Sequence, residues 1–263
     1  MGRLGNQLFQ VAATLSQAHK MGIGAAFNKW EYKDWFLHPV DDSLEADVMR
    51  VGGKDHSLVT RLKFGYSALP AGNNQCLLGF FQSPKYISMD PAVEKHFLPG
   101  NDLMKRVREA GSSFIHRMNT CAIHVRRTDY LEKAGYHPPQ PIEYYEKAIY
   151  EMEHKHGTCN FLVFSDDMDW CRSNFSKFQN KNIEFANKNS DIVDLYLMAH
   201  CRHFIIANSS FSWWGAYLHH IVSPETADQS TVIAPENWCG PEWKAKSKDD
   251  VWTDIYLPNW TVI

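Results

Sequence analysis

The sequence has six cysteines but no CxxC pair, and none of the Cys/His spacings that hold zinc. Cys76, Cys121, Cys159, Cys171, Cys201 and Cys239 are scattered, with Cys121 in an apolar strand-like run and Cys201 at the end of a helix-like one. They read as buried free thiols in a reducing compartment rather than as a disulfide framework. Long apolar runs are missing too. No stretch reaches the ~20 residues that cross a bilayer, and no signal peptide is visible at the start. The expectation is a soluble, cytoplasmic chain without a membrane span, or one trimmed from a tethered parent. An excess of basic charge is also absent. A net charge of −3 argues against a broad basic surface and therefore against nucleic acid as the main partner. Any anionic ligand must be held by a local cluster of Arg and backbone N–H groups. No internal repeat or low-complexity linker breaks the chain.

What is present is ordinary for a globular protein. Hydrophobic residues make up 44% and charged residues 22% of 263 positions, enough for one large domain or two modest ones. A chain of this length buries a substantial core without disulfides or metals.

The carboxyl-terminal half reads clearly as strands alternating with helices. Cys121 to Val125, Asn160 to Phe164, Ile183 to Ala186, Phe204 to Ala207 and Thr231 to Ala234 have the apolar, short pattern of buried strands. Between them, Pro141 to His156, Asp167 to Phe175, Ser190 to Cys201 and Phe211 to His220 have helical periodicity. Strands apolar on both faces imply a parallel sheet covered on both sides. The amino-terminal half is less regular. Leu8, Val11, Leu15 and Ala18 share one helical face, with Gly22 as its stop. Ile23 to Phe27 reads as a short strand, Leu77 to Phe81 as another, and Asp102 to Met118 as a surface helix. Residues 28 to 76 carry turn signals and no assignable element. A glycine turn such as Gly2 to Gly5 ordinarily follows a strand. Either the first strand of this domain is missing from the chain or another segment takes its place.

In parallel α/β sheets, ligands bind at the carboxyl ends of strands, near the switch point. Three strand ends carry chemistry. The first is His124-Val125-Arg126-Arg127-Thr128-Asp129. Alternation places His124 and Arg126 on one face, and two adjacent arginines at a buried strand end are costly unless paired. Asp129 most simply neutralises Arg127, which leaves the planar donors of Arg126 for a phosphate. His124 alone reads more simply as a hydrogen-bonded structural residue, and the whole block could be a salt-bridge knot. The second end is Ser165-Asp166-Asp167-Met168-Asp169. Here Asp167 and Asp169 could form a metal clamp, a carboxylate could grip a guanine edge, or an aspartate could cap a helix. The third is Asn208-Ser209-Ser210-Phe211-Ser212, where a helix opens with free N–H groups suited to an anion or is simply capped by Ser209 or Ser210. Trp213 and Trp214 behind it read as packing.

Taken in order, GRLGNQLFQVA, HVRRTDY, FSDD and DLYLMAHCRHFIIANSSFSWWGAYL resemble the motifs of glycosyltransferase family 11, the galactoside α-1,2-fucosyltransferase family. They are more distantly similar to α-1,6- and protein O-fucosyltransferases. The resemblance implies an α/β, GT-B-like fold of two Rossmann-type domains with parallel sheets. Residues 1–118 would be an amino-terminal, acceptor-side domain, possibly without its first strand. Residues 119–263 would be the GDP-fucose-binding domain, the last residues packing back on the first. It implies an inverting, metal-independent transfer of L-fucose from GDP-β-L-fucose to the 2-hydroxyl of a galactose-terminated glycan. Arg126 is then the catalytic contact to the departing β-phosphate, and His124 touches the nucleotide. Asp166 or Asp167 reads guanine, Ser209 and Ser210 hold phosphate or ribose with Phe211 in the same stretch, and Gly5, Asn6 and Gln7 line the cleft from the opposite domain. Arg127 and Asp129 remain a structural pair. The alternatives are an α-1,6-type relative, a metal-dependent transferase, and a non-catalytic nucleotide- or glycan-binding relative.

Overall fold

Helix α1 (Leu4–Met21) forms where Leu8, Val11 and Ala18 fall on one buried face, and it stops at Gly22. Gly22 adopts φ 66, a left-handed conformation that suits glycine, and its N–H closes on the carbonyls of Ala18 and His19. The computed structural model describes residues 1–44, 57–247 and 250–263. It divides into two units, Met1–Leu103 with Asp249–Leu257, and Met104–Lys248 with Pro258–Ile263.

In the first unit, α1 is followed by two parallel strands, β1 (Ser57–Arg61) and β2 (Gln75–Gly79), registered from Ser57 opposite Gln75 to Arg61 opposite Gly79. Gly79 is required there, because a Cβ would lie 1.9 Å from the Arg61 carbonyl oxygen. The short helix α2 (Pro91–Glu94) is capped by Asp90, whose carboxylate accepts from the Ala92 N–H at 2.8 Å. Residues from the far end of the chain belong to this unit for a visible reason. The Asp250 carboxylate accepts from the N–H groups of Phe64 (3.0 Å) and Gly65 (2.6 Å), and Asp254 accepts from Tyr66 (2.9 Å) and pairs with Lys85 (2.6 Å).

Ile23 to Phe27 is not a strand. The Ile23 N–H closes the end of α1 on the Ala18 carbonyl (3.0 Å), and Phe27 exchanges hydrogen bonds with Asp41 and Leu44. The next helix, α3 (Asn101–Gly111), is shorter than the expected Asp102 to Met118. After Gly111 the N–H groups of Phe114 and Ile115 both turn back onto its carbonyl, and Asn119 at φ 49 redirects the chain. Of the unassigned residues 28 to 76, positions 45–56 lie outside the described residues.

The second unit runs β3 (Thr120–Val125), α4 (Thr128–Glu132), α5 (Ile142–His156), β4 (Asn160–Ser165), α6 (Met168–Phe175), β5 (Asn182–Phe185), α7 (Asp191–Ala199), β6 (His203–Ile205), α8 (Ser210–Val222), α9 (Pro224–Ala227), β7 (Val232–Ala234), α10 (Pro241–Lys246) and β8 (Thr261–Val262). Its six strands are all parallel, in the order β5-β4-β3-β6-β7-β8. Counted from β3, that is third, second, first, fourth, fifth, sixth, the doubly wound order whose switch point lies between the first and fourth strands. The expected series ended at β7; β8 extends it, since Thr261 and Val262 pair with Ile233 and Ala234. Every residue of β3 is buried, and Ile205, Phe161 and Val163 have no exposed surface. Trp213 and Trp214 are fully buried packing residues. Gly215 lets α8 approach α7, a Cβ there falling 2.3 Å from the Met198 sulfur. All six cysteines are free thiols, five buried and Cys76 half-buried. Among the described residues no helix is long and apolar enough to cross a membrane.

Candidate functional site

The switch point of the six-stranded sheet gathers most of the residues singled out from the sequence. The chain leaves β3 at Val125 and turns into α4, and it leaves β6 through Ile206 to Ser209 and turns into α8. Arg126 therefore stands at the carboxyl edge between the ends of β3 and β4. Its guanidinium reaches Asp129 at 2.5 Å and Asp166 at 2.9 Å, and lies 5.6 Å from the centre of the Tyr130 ring. The side chain is 14% exposed, so a charge that is largely out of water is matched by two carboxylates.

The pairing differs from the expected Arg127–Asp129. Arg127 leaves the strand on the opposite face and meets Asp167 at 3.2 Å and the Trp170 ring at 4.1 Å. Asp129 sits one helical turn after Arg126, within its reach, because α4 begins at Thr128. Asp166 is gripped further by the N–H groups of Arg127 (2.9 Å) and Thr128 (3.2 Å) and by the Thr128 hydroxyl. Burial alone would raise its pKa, yet the Thr128 hydroxyl and Arg126 outweigh that and hold it below the ordinary carboxylate value. Asp167 caps α6 by accepting from the Trp170 N–H at 3.1 Å. The cap reading of this aspartate is therefore realised, and its carboxylate is shared with Arg127.

His124 is 5% exposed, and its Nδ1 has no hydrogen-bond partner. Burial, reinforced by the Arg126 charge, pushes its pKa down to about 3, so the imidazole is neutral. Its ring lies 5.3 Å from that of Phe211. At the start of α8, the Ser209 hydroxyl accepts from the Phe211 N–H at 3.3 Å. Ser210 and Phe211 are half-buried in the first turn. Helix starts present N–H groups and a positive dipole end to an anion.

Four residues here had no role assigned from the sequence. Thr128 and Tyr130 belong to the HVRRTDY block. Thr128 locks Asp166, and the Tyr130 hydroxyl donates to the Asn208 carbonyl at 2.9 Å, tying the β3 end to the β6 end. The Asn208 amide donates to the carbonyls of Pro138 and Trp238, while its buried Oδ1 has no partner. Asp194, in the first turn of α7 at the same edge of the sheet, has its pKa raised by burial to about 6 and accepts from the Asn189 amide at 2.8 Å. Its signal in the sequence was faint, the second of two aspartates at the start of an otherwise apolar helix.

Gly5, Asn6 and Gln7 lie in the first unit, at the start of α1. Asn6 accepts from the Gln82 amide at 2.6 Å, and Gln7 accepts from the Trp30 indole at 2.8 Å.

The family model of glycosyltransferase family 11 matches residues 1–263. The chain belongs to glycosyltransferase family 11. Among curated relatives, the O-antigen biosynthesis glycosyltransferase WbnK of Escherichia coli is 31% identical over 198 residues, 71% of this chain and 63% of its own length. The alpha-1,2-colitosyltransferase of Escherichia coli is 28% identical over 274 residues, 90% of each chain. Mouse galactoside 2-alpha-L-fucosyltransferase Sec1 is 27% identical, with 62% of this chain and 49% of that protein aligned. The chain thus spans about half to two thirds of WbnK and Sec1. The crystal structure of POFUT1 in complex with GDP-fucose shares the fold, with a TM-score of 0.51 at 13% identity, over 88% of this chain and 95% of that one. The GT-B-like α/β class with parallel sheets expected from the sequence is the one found. In this family 11 chain, the motif HVRRTDY builds the arginine cluster, and DLYLMAHCRHFIIANSS supplies most of α7 and the start of α8.

Proposed function

We propose that this family 11 chain transfers L-fucose from GDP-β-L-fucose to the 2-hydroxyl of a galactoside, inverting the anomeric centre to give an α-1,2 linkage. The observation that carries the reading is Arg126, at the carboxyl end of β3 and flanked by Asp129 and Asp166, with the amino end of α8 at the same edge of the sheet. As the glycosidic bond breaks, the sugar becomes oxocarbenium-like and negative charge grows on the GDP leaving group. A cation and a helix start aimed at that oxygen stabilise the transition state more than the ground state. The planar fork of Arg126 takes up the β-phosphate by releasing Asp129, the more exposed of its two carboxylates, to solvent, while Asp166 stays bound. Ser209, Ser210 and Phe211 hold the phosphate and ribose side, and His124, neutral and buried, meets the nucleotide. The guanine edge offers two adjacent donors to a carboxylate. Asp166 and Asp167 serve it only by sharing themselves with arginines, whereas Asp194 is engaged by an amide, which adds it to these two as a reader of guanine. Gly5, Asn6 and Gln7 are assigned to the acceptor side, and residues 1–118 and 119–263 to acceptor and donor binding.

A second donor is favoured by one observation, the colitosyltransferase aligned over 90% of both chains. Colitose is the 3-deoxy counterpart of fucose, so the same phosphate and guanine contacts serve either sugar. The test is GDP release from GDP-fucose and from GDP-colitose, with and without lactose, in EDTA, for the wild type and Arg126→Ala. Acceptor-stimulated release from GDP-fucose that persists in EDTA and collapses in the variant supports the proposal. Preference for GDP-colitose moves the donor assignment. Loss of release in EDTA restores the metal clamp on Asp167 and Asp169, and release only with N-acetylglucosamine acceptors favours the α-1,6 type. GDP binding without release under any condition favours a non-catalytic relative.

A further inference from the structure

Two loops, a strand end and a helix start meet at one buried residue, Asn208. It is 2% exposed and directly precedes Ser209, the N-cap of α8. Its side-chain amide donates to the carbonyls of Pro138 (3.0 Å) and Trp238 (3.1 Å). Those carbonyls belong to the loops that follow α4 and β7, and the Gln140 amide braces the same pair by donating to Asn237 (3.1 Å) and Pro138 (3.3 Å). With both amide protons engaged, the Asn208 side chain is locked, and the backbone beside it is held too. The turn into α8 is tight. The Ser209 N–H donates to the Ala207 carbonyl at 2.8 Å, and the Ser212 hydroxyl lies 3.3 Å from that oxygen and from the Ser209 carbonyl. The direction of the first α8 N–H groups is therefore set from outside the helix.

One side chain connects this hub to Arg126. Tyr130, four residues after Arg126 and in the first turn of α4, donates its hydroxyl to the Asn208 carbonyl at 2.9 Å. The Arg126 guanidinium lies 5.6 Å from the centre of its ring, and the ring stacks on His137 at 5.2 Å. Burial pushes the phenol pKa up to about 12, so the hydroxyl keeps its proton and remains a donor at neutral pH. The ring alone would serve packing and the cation–π contact. The hydroxyl adds something else, a fixed distance between the β3 end, which holds the cation, and the β6 exit, from which α8 starts. Two anion-binding groups on separate strand ends act together only when their spacing matches the anion.

We propose that Tyr130 is a positioning residue: its hydroxyl, through the Asn208 carbonyl, fixes the spacing between Arg126 and the amino end of α8 so that both meet one diphosphate. This rests on the donor reading of Arg126 given above. Tyr130 acts through Arg126 and the α8 turn rather than by touching the sugar. Tyr144 supplies a matched comparison from the same stretch. Its hydroxyl donates to the Ile206 carbonyl at 2.7 Å, with the Ile233 carbonyl at 3.2 Å. It too fixes the β6 exit by a buried hydrogen bond, but on the β7 side. A hydroxyl that only stiffens this stretch and one that sets the position of the cation can therefore be told apart.

The test measures GDP affinity by calorimetry, turnover of GDP-fucose with lactose, and melting temperature. The proteins are the wild type, Tyr130→Phe, Tyr144→Phe, Arg126→Ala, and the double variant of Arg126→Ala with Tyr130→Phe. Both phenylalanine variants keep their ring and lose one hydroxyl. The proposal expects Tyr130→Phe to weaken GDP binding and to lower kcat by about tenfold each, below the ~10²-fold cost of a full ~1 Å misplacement. Tyr144→Phe should lower the melting temperature by a similar amount and leave GDP affinity and kcat within about twofold of wild type. In the Arg126→Ala background, loss of the Tyr130 hydroxyl should change GDP affinity by less than about twofold, because the spacing it sets then has no cation at one end. GDP affinity of Tyr130→Phe within about twofold of wild type overturns the proposal. So does an equal loss in Tyr144→Phe, or a tenfold loss that persists in the Arg126→Ala background. The binding arm does not depend on sugar transfer. A wild type that binds GDP without turning over GDP-fucose sinks the fucosyltransferase reading and leaves the binding cycle readable, whereas a wild type that transfers fucose while the cycle shows no coupling sinks this inference alone.

Discussion

Strands β3 and β2 are both five or six residues long and both apolar in the middle, yet β3 is buried at every position and β2 at one. β3 has a hydrogen-bonded neighbour on each side, while β2 has a neighbour on one side only among the described residues. The difference bears on function. A strand end can aim a side chain only as well as the strand itself is fixed, and β3 delivers Arg126 into a cluster in which two carboxylates, a threonine and a tyrosine are already in place. The proposed donor chemistry thus lies on the closed sheet. The other unit carries Gln7 and Asn6 on a helix start and a cavity beside β2.

The largest expected effect tests whether the closed sheet delivers chemistry rather than stability alone. Arg126→Ala should lower turnover of GDP-fucose by about 10²–10³-fold, ~2.7–4 kcal/mol of barrier, the scale for losing one charge-stabilising donor. Turnover within tenfold of wild type, measured by GDP release, would remove Arg126 from the mechanism. Next comes a matched pair of core truncations. Ile205→Ala in β6, where the side chain has no exposed surface, should cost about 2–5 kcal/mol of unfolding free energy. Leu77→Ala in half-exposed β2 should cost well under half of that. Denaturant melts of the two variants decide it, and equal losses would mean that β2 is as well covered as β6.

Much of this contrast is legible in the sequence. The apolar runs around Cys121, Phe161 and Phe204 announced the buried strands because a strand covered on both faces needs no alternation. The chemistry at their ends was legible for the same reason, since Arg126, Asp166 and Ser209 are polar residues placed directly after such runs. What the pattern could not give was pairing. Whether Asp129 meets Arg126 or Arg127 depends on where α4 begins, and Thr128 decides that by binding Asp166. Ile23 to Phe27 misled because its apolar composition signalled a covered strand, whereas Ile23, Gly24 and Ala26 are exposed. β8 is two residues long, too short for any periodicity to show.

Arg127 sharpens the comparison within the cluster itself. It ties the β3 end to the α6 cap through Asp167 and lies over Trp170. Arg127→Ala should therefore lower stability by ~1–2 kcal/mol, the range for a largely desolvated cation–π contact, and lower turnover much less than Arg126→Ala does. A melting temperature equal to wild type together with a hundredfold loss of turnover would exchange the roles of the two arginines.

The last effect concerns acid, and it locates a weakness in the better-built sheet. His203, at the amino end of β6, is 1% exposed; its Nδ1 accepts from the Thr231 N–H at 3.2 Å, and its buried Nε2 has no partner. It stacks on His156 at 3.9 Å, and Arg202, His219 and Lys155 add positive charge around it. Burial first, then these charges, push its pKa down to about 3. Above pH ~6.5 the ring is neutral in the folded and unfolded chain alike, so it contributes no pH dependence. Between ~6.5 and 3 the unfolded chain takes up a proton that the folded chain refuses, and stability falls as pH falls, by at most ~1.4 kcal/mol per unit for one group. His124, also pushed down to about 3, acts in the same direction. Asp194 opposes them below about pH 6, because its raised pKa lets the folded chain hold a proton that the unfolded chain releases. The melting temperature should therefore drop between pH 6.5 and 5, the drop should shrink in His203→Asn, and it should steepen in Asp194→Asn. Hydrogen exchange at pH 5 should show the loss at β6 and β7 ahead of β1. A profile unchanged by either substitution would place the acid sensitivity outside the six-stranded sheet.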